Sequence, residues 1–488
     1  MTEISVSSPP RLGLDNTYAD ELEGLYVPFT PRGFPSPVVV QLNRALLAEL
    51  AVDAAVVETH ATGLFSGSLV PADAKPLAQA YAGHQFGGFS PQLGDGRAVL
   101  IGEIKDHLGR RYDLQLKGSG ATPFSRGGDG KATLGPILRE YLMGEAMHSL
   151  GVPTSRVLAA LTTGETVWRN DALPGAVLAR VASSHLRVGT LQFFAARRDQ
   201  ASLKRLVDYS LARHYPERVG AENPALQLLQ AVAVAQANLI ARWMQVGFIH
   251  GVMNTDNVTL SGETIDYGPC AFIEAYDPTT AYSSIDHQGR YAFGNQGAIG
   301  QWNLARMGEA LLTMLAPEEA DAIAMVEAAL QVYVRTYQAV LLDGMRGKLG
   351  LVDAQPEDQA LVADLLQWMH GAGEDYTLTF RRLADGLKDD TRPFCDAGFA
   401  GWQSRWLARL GAEDHAQVAA RMNLTNPLYI PRNHLVEAAL DAAIAGDIGP
   451  FETLLAVLAS PYDTQPGREA FAAPAPSEFG PYRTFCGT

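Results

Sequence analysis

The stretch from Phe248 to Gly268 holds the residues whose types and order are best suited to chemistry. It reads Phe-Ile-His-Gly-Val-Met-Asn-Thr-Asp-Asn from Phe248 to Asn257. Val258-Thr259-Leu260, Ser261-Gly262 and Thr264-Ile265-Asp266-Tyr267-Gly268 follow. Magnesium takes hard oxygen ligands, often one or two from the protein and the rest from phosphate and water. The Asn257 amide and the Asp266 carboxylate are donors of that kind. Ser261-Gly262 predicts a tight turn between two short strands, with Asp256 and Asn257 at one end of a hairpin and Asp266 at the other. The plainer alternative is a solvated hairpin whose Asn and Asp only make turns.

Asn257 lies seven positions after His250, as in the kinase loop His-Arg-Asp-x-x-x-x-Asn, and Asp266-Tyr267-Gly268 is close to the Asp-Phe-Gly that follows such a loop. The position two after His250, which holds the catalytic aspartate in a phosphotransferase, is Val252. Valine cannot accept a proton from a substrate hydroxyl. Asp256 is the one nearby carboxylate that could, and this argues against a conventional kinase reaction. Lys117 ends an alternating strand on its polar face, where a phosphate-contacting lysine belongs, and Glu140, 23 residues later on a helix, can pair with it. Glu145 is about 500° around that helix from Glu140, so the two do not face one site. Gly94-Asp95-Gly96-Arg97 and Ser125-Arg126-Gly127-Gly128-Asp129-Gly130-Lys131 are glycine loops that let backbone amides approach phosphate. Arg180 and Arg187 add guanidinium groups, which bind phosphate through paired N–H groups. Each arginine alone could equally be a surface or lobe-bridging salt bridge.

These groups need a sheet and a helix to position them. Ala98–Ile104 is apolar and β-prone, and Asp106–Gly109 is a turn. In Arg111–Lys117, Tyr112, Leu114 and Leu116 point one way and Asp113, Gln115 and Lys117 the other. A helix is expected over 136–150, stopped by Gly151 and Pro153. Strands are expected over 157–162, 166–168 and 176–182. Helices follow at about 201–215, 225–246, 303–315, 317–343, 357–370, 397–411 and 432–446. The fold class is α+β: a protein-kinase-like two-lobed fold with a β-rich N-lobe and a larger helical C-lobe. Residues 1–78 read as an N-terminal extension packing on that core. Residues 79–188 read as the N-lobe with nucleotide-binding glycine loops, and 189–488 as the helical C-lobe with the catalytic loop and a C-terminal extension.

Composition narrows the partners. The 488 residues carry 38 Lys and Arg against 53 Asp and Glu, a net charge of −15, which argues against nucleic acid or an anionic membrane as partner. Twelve of the 47 glycines fall in residues 81–130, so an acidic chain concentrates glycine loops and cations in one segment, as a site for a small polyanion requires. Three cysteines, Cys270, Cys395 and Cys486, are too few for a disulfide scaffold. The amino terminus has neither a secretory nor a basic transit pattern, and the expected location is cytoplasmic.

The residues resemble the selenoprotein O (YdiU-type) family of kinase-fold protein adenylyltransferases. The matching strings are Tyr81–Gly87, Gly94–Arg97, Leu114–Gly118, His250–Asn257, Ile265–Pro269, Asp286–Tyr291 and Trp302–Leu304, and the resemblance runs from about residue 20 to the end. It implies a pseudokinase that binds ATP in a flipped orientation and transfers AMP to protein Ser, Thr or Tyr hydroxyls, releasing pyrophosphate; UMP transfer from UTP is also attributed to the family. Gly94, Gly96, Arg97, Lys117, Asp129, Gly130, Arg180 and Arg187 would hold the nucleotide, with Glu140 pairing Lys117. Asn257 and Asp266 would bind Mg²⁺ or Mn²⁺, and Asp256 would accept the proton. Cys486 fits the terminal cysteine of the family, and a Cys270–Cys486 disulfide stands as a hypothesis. The rival readings are a protein or small-molecule kinase, from the Asn257/Asp266 pair, and a non-catalytic nucleotide-binding scaffold, from Val252.

Overall fold

Leu114 and Leu116 bury one face of a strand while Asp113, Gln115 and Lys117 occupy the other, and the computed structural model, which describes residues 9–485, builds its main sheet around that strand. The strands of the amino-terminal half are β1 (Tyr26–Pro28), β2 (Val38–Leu42), β3 (Leu77–Gln79), β4 (Gly83–Gln85), β5 (Gly88–Ser90), β6 (Ala98–Lys105), β7 (Arg111–Lys117), β8 (Ala132–Thr133), β9 (Arg156–Trp168) and β10 (Ala172–Ala182). The main sheet has the order β1-β3-β6-β7-β10-β9-β2, with β8 joining β10. All its pairings are antiparallel. β4 and β5 form a separate hairpin. The stretch before Ala80 thus supplies β1, β2 and β3 of the main sheet. Asp106 makes the β6–β7 turn by accepting the amides of Leu108 and Arg110 at 2.9 and 2.8 Å.

One face of the sheet packs Val99, Ile101, Leu114 and Leu116 against apolar residues of the helices Arg44–Glu49 and Ala54–Ser66. The other face meets the helix Leu134–Ser149. Its Ile137, Leu138, Tyr141 and Leu142 belong to a core that runs on into the helices Pro224–Val246 and Gln296–Leu315. Gly135, Pro136 and Gly144 make that helix a poor former by propensity. Each fully buried large apolar side chain contributes roughly 1.5–3 kcal/mol, so packing fixes it. A second core joins the helices Asp358–Ala372, Tyr376–Lys388 and Ala397–Leu410. Pro224–Val246 is, among the described residues, the one helix long and apolar enough to cross a membrane; it packs against Gln296–Leu315 and Glu319–Lys348.

Three local expectations change. The strands expected at 157–162 and 166–168 are one strand, β9, continuing through Gly164 at φ +75°. The expected hairpin across Ser261-Gly262 keeps its turn, with Gly262 at φ +78°, but not its pairing. Thr259 bridges to Arg187 and Thr264 to Thr154; a run this short takes the backbone partners that its neighbours offer. The loop is closed instead by Phe248–Ile249 pairing with Ala271–Phe272. The helices Val188–Ala196, Tyr376–Lys388, His415–Thr425 and Gly449–Leu458 were not expected from the pattern.

Candidate active site

The polar face of β7 is buried rather than solvated, because helix Leu134–Ser149 and the segment around Asp266 cover Lys117 and the His185 segment and Arg213 cover Asp113. Each of its three side chains therefore has a defined partner. Asp113 accepts from Arg213 at 2.9 Å and from the His185 amide at 2.8 Å. Gln115 accepts from Arg180 Nε at 2.9 Å and donates to Asp95 at 3.1 Å. Lys117 Nζ donates to Glu140 at 2.6 Å and to Asp266 at 2.7 Å. Arg180 lies opposite Gln115 in the β7–β10 register, and its Nη1 reaches the same two carboxylates at 3.1 and 2.8 Å. Arg187 stands 3.6 Å from the second oxygen of Asp266, stacks over the Tyr81 ring at 4.4 Å, and donates to the backbone oxygen of Asp256 at 3.1 Å. Glu145, on another side of the helix, is held by Arg156 at 2.9 and 2.7 Å.

Charge explains the proton affinities. Burial pushes Asp266 upward, but Lys117, Arg180 and Arg187 outweigh it and hold the carboxyl well below the usual range. Glu140 is likewise buried and likewise lowered by Lys117 and Arg180. For Asp95 and Asp256 burial prevails over the attraction of Arg187, and both are pushed up to about 6. The site thus contains two firmly ionised carboxylates and two that hold a proton more readily.

The loop from His250 to Asp266 is tied at both ends. Nε2 of His250 donates to the Ile265 oxygen at 2.9 Å, so the two motif halves read in the sequence stand side by side. Asn257 donates its Nδ2 to the Val252 oxygen at 2.9 Å, leaving its Oδ1 as the remaining acceptor. Asp256 sits in a short helical turn, Thr255–Asn257. Its Oδ2 accepts from Gln85 at 3.4 Å, and its Oδ1 is buried with no hydrogen-bond partner among the described residues. Asp266 has φ +58°, a conformation rare outside glycine and common where function constrains the chain.

Lys117, Glu140, Arg180, Arg187, Val252, Asp256, Asn257 and Asp266 line one cleft of about 440 Å³. Gly96 and Arg97 line both it and an adjoining cleft of about 300 Å³, which Gly94, Asp129 and Gly130 complete. Asp129 is at the rim, paired with Arg169 at 2.9 Å. Gly130, at φ +65°, lies so close to the Gly120 backbone that a Cβ would collide with it. The sequence reading left out Asp95, Gln115, Tyr81, Gln85, Asn254, Arg126 and Arg169. All but Arg169 stood inside strings already singled out; Arg169, in the β9–β10 turn, carried no signal. Cys486 lies outside the described residues, and Cys270 is fully buried.

A profile described as "Protein adenylyltransferase SelO" matches residues 11–459. The protein nucleotidyltransferase YdiU of Cereibacter sphaeroides is 58% identical over 480 residues, covering 97% of this chain and 99% of that protein. The protein nucleotidyltransferase YdiU of Rhizobium etli is 52% identical over 487 residues, covering 97% of each. With Lys117 paired to Glu140, and with likeness along nearly its whole length, the chain belongs to the SelO family of protein adenylyltransferases.

Proposed function

We propose that the protein transfers AMP from ATP to Ser, Thr or Tyr hydroxyls of other proteins, releasing pyrophosphate, with UMP transfer from UTP as a variant of the same reaction. The fold is read as protein-kinase-like, with the main sheet and helix Leu134–Ser149 as the smaller lobe and the helices from Val188 onward as the larger one. The observation that carries the reading is the convergence of Lys117, Arg180 and Arg187 on Asp266, beside an Asp256 with one oxygen unpartnered. Those three cations can exchange carboxylate for phosphate oxygens without being repositioned, as an organised polyanion site requires. Following the family resemblance, the γ-phosphate lies toward Arg97, Asp129 and Gly130, and the α-phosphate toward Asp256.

Asn257 Oδ1 and the Asp266 carboxylate are hard oxygen donors suited to Mg²⁺ or Mn²⁺. A divalent ion held by them would supply charge neutralisation to the triphosphate. Asp256 takes the proton of the acceptor hydroxyl at Oδ1. The freed oxygen bonds to the α-phosphorus as the bond from that phosphorus to the bridging oxygen breaks. Val252 leaves no carboxylate at the position from which a kinase serves γ-phosphoryl transfer. The acidic surface and the few cysteines support a cytoplasmic enzyme acting on proteins rather than on nucleic acid or membranes.

Parallel incubation of cell-lysate proteins with α-labelled and γ-labelled ATP tests the reading, comparing wild type with Asp256→Ala. Transfer of the α-label alone, with a mass gain of about 329 Da on a target, supports it. A γ-label and about 80 Da indicate a kinase. ATP binding with neither label transferred indicates a scaffold.

A further inference from the structure

Three of the strings singled out in the sequence have most of their residues outside the phosphate cluster: Tyr81–Gly87, Asp286–Tyr291 and Trp302–Leu304. They converge at the mouth of the cleft. The β4–β5 hairpin turns at Phe86 and Gly87, with φ +51° and +88°. Two consecutive positive φ values make a primed turn, and Phe86 is an uncommon occupant of it. The hairpin is fastened to the loop that carries Asp256. Phe86 N donates to Asn254 Oδ1 at 3.1 Å, and Gln85 reaches Asp256 at 3.4 Å. Tyr291 donates to the same Asn254 oxygen at 2.6 Å, and its ring is 5.1 Å from Phe86. His84 lies between Phe89 and Trp302, at 4.8 and 5.5 Å.

Arg290 occupies the middle of this cluster. Its guanidinium carbon is 4.6 Å from the centre of the Trp302 ring, and the hairpin tip at Gly87 rests against it: a Cβ there would lie 3.9 Å away. Its Nε and Nη2 are buried and have no hydrogen-bond partner among the described residues. Arg306, on the same indole at 5.1 Å, differs in pairing with Glu309 at 2.6 Å. A guanidinium whose Nε and Nη2 are unused donors, fixed by stacking, is matched by a carboxylate, which accepts both in parallel. Around it Phe86, Phe89 and Ile285 remain 37, 43 and 48% exposed. Phe86 and Ile285 also line the nucleotide cleft, so whatever covers these rings is next to the α-phosphate.

We propose that this face is the docking surface for the acceptor polypeptide, with Arg290 receiving an Asp or Glu side chain close to the modified hydroxyl and Phe86 and Phe89 covering an adjoining apolar residue. The proposal rests on the reading of the protein as a nucleotidyltransferase. On a chain of net charge −15, which repels acidic partners at long range, a cation whose Nε and Nη2 no described side chain takes decides which acidic segment is accepted.

The test uses synthetic peptides with one Ser, Thr or Tyr, each flanking position in turn carrying Asp, Asn or Lys, labelled with α-³²P-ATP by the full-length enzyme. Wild type is expected to use Asp peptides about tenfold better in kcat/KM than Asn peptides at one or two positions. Arg290→Gln abolishes that preference and Arg290→Glu turns it toward Lys, while KM for ATP stays within about twofold. Melting temperature and ATP binding report folding; if Arg290→Glu does not fold, Arg290→Gln and the retained preference of Arg290→Lys carry the test. Equal use of Asp and Asn peptides by wild type overturns the proposal alone, as does a preference unchanged in Arg290→Gln or a rise in KM for ATP instead of peptide. Wild type that binds ATP and labels neither peptides nor proteins overturns the nucleotidyltransferase reading, and this proposal with it.

Discussion

A Cβ placed on Gly83 would collide with Oδ1 of Asp256. The strand β4 therefore passes Asp256 at a distance only glycine allows; at Gly189 a Cβ would instead collide with the Ala82 oxygen, next to Gly83 in the chain. Gly83→Ala is expected to displace the Asp256 carboxylate and lower the rate of AMP transfer by about 10²-fold. ATP affinity should stay within about twofold. Single-turnover transfer and nucleotide titration measure the two; an unchanged rate would separate Asp256 from the reaction.

Lys117, Arg180 and Arg187 all meet Asp266, so on the proposed function Asp266 would compete with phosphate for them. Asp266→Ala would then remove the proposed metal donor and that competitor together. Metal-dependent transfer should fall by about 10³-fold or more. Binding of a fluorescent ATP analogue in EDTA should be unchanged or tighter, because three cations lose one carboxylate partner, while Glu140 still holds Lys117 and Arg180. Loss of binding in EDTA would show that these cations do not hold the triphosphate.

Glu140 and Glu145 stand on one helix and should separate function from stability. Glu140→Gln weakens the grip on Lys117 and Arg180, so transfer should drop by at least tenfold. Glu145→Gln breaks a two-point contact to Arg156, which keeps Glu49 at 2.7 Å. It should lower stability by roughly 1–3 kcal/mol and leave transfer per folded molecule unchanged. Thermal melts alongside rate measurements distinguish the two.

Lys348 is buried, its ammonium 4.2 Å from the Phe380 ring, and burial pulls its pKa down to about 7. In the unfolded chain it titrates near 10.5, so between pH 7 and 10.5 the unfolded state holds a proton that the folded state lacks. The lysine therefore destabilises the fold fully at pH 7 and below, and the penalty fades as pH rises toward 10.5. Lys348→Met should raise the melting temperature at pH 7, with the gain shrinking by on the order of 1 kcal/mol per pH unit above that. A gain that does not depend on pH would assign the effect to packing instead.

Much of the site was legible because its parts are local. The turn at Ser261-Gly262 was kept, although the strands expected beside it paired elsewhere. Period-two alternation put Lys117 and Gln115 on one face, and helical angle alone separated Glu140 from Glu145. The helix Tyr376–Lys388 carried a local signal that the reading passed over, since Asp375 caps it and its apolar residues recur at helical spacing; Gly449–Leu458 is apolar nearly throughout and shows no periodic face of its own.

Residue types at set spacings were readable along the chain: the alternating strand, the glycine loops, and Val252, Asn257 and Asp266 after His250. Those follow from side-chain chemistry and backbone period, which a chain carries locally. Only the tertiary structure decided that the polar face of β7 is buried, that Asp95 and Asp256 hold protons up to about pH 6 while Asp266 does not, and that Arg290 lies beside a hairpin two hundred residues away. Desolvation and charge pairing depend on what long-range folding brings within a few ångströms, and no local pattern encodes that distance.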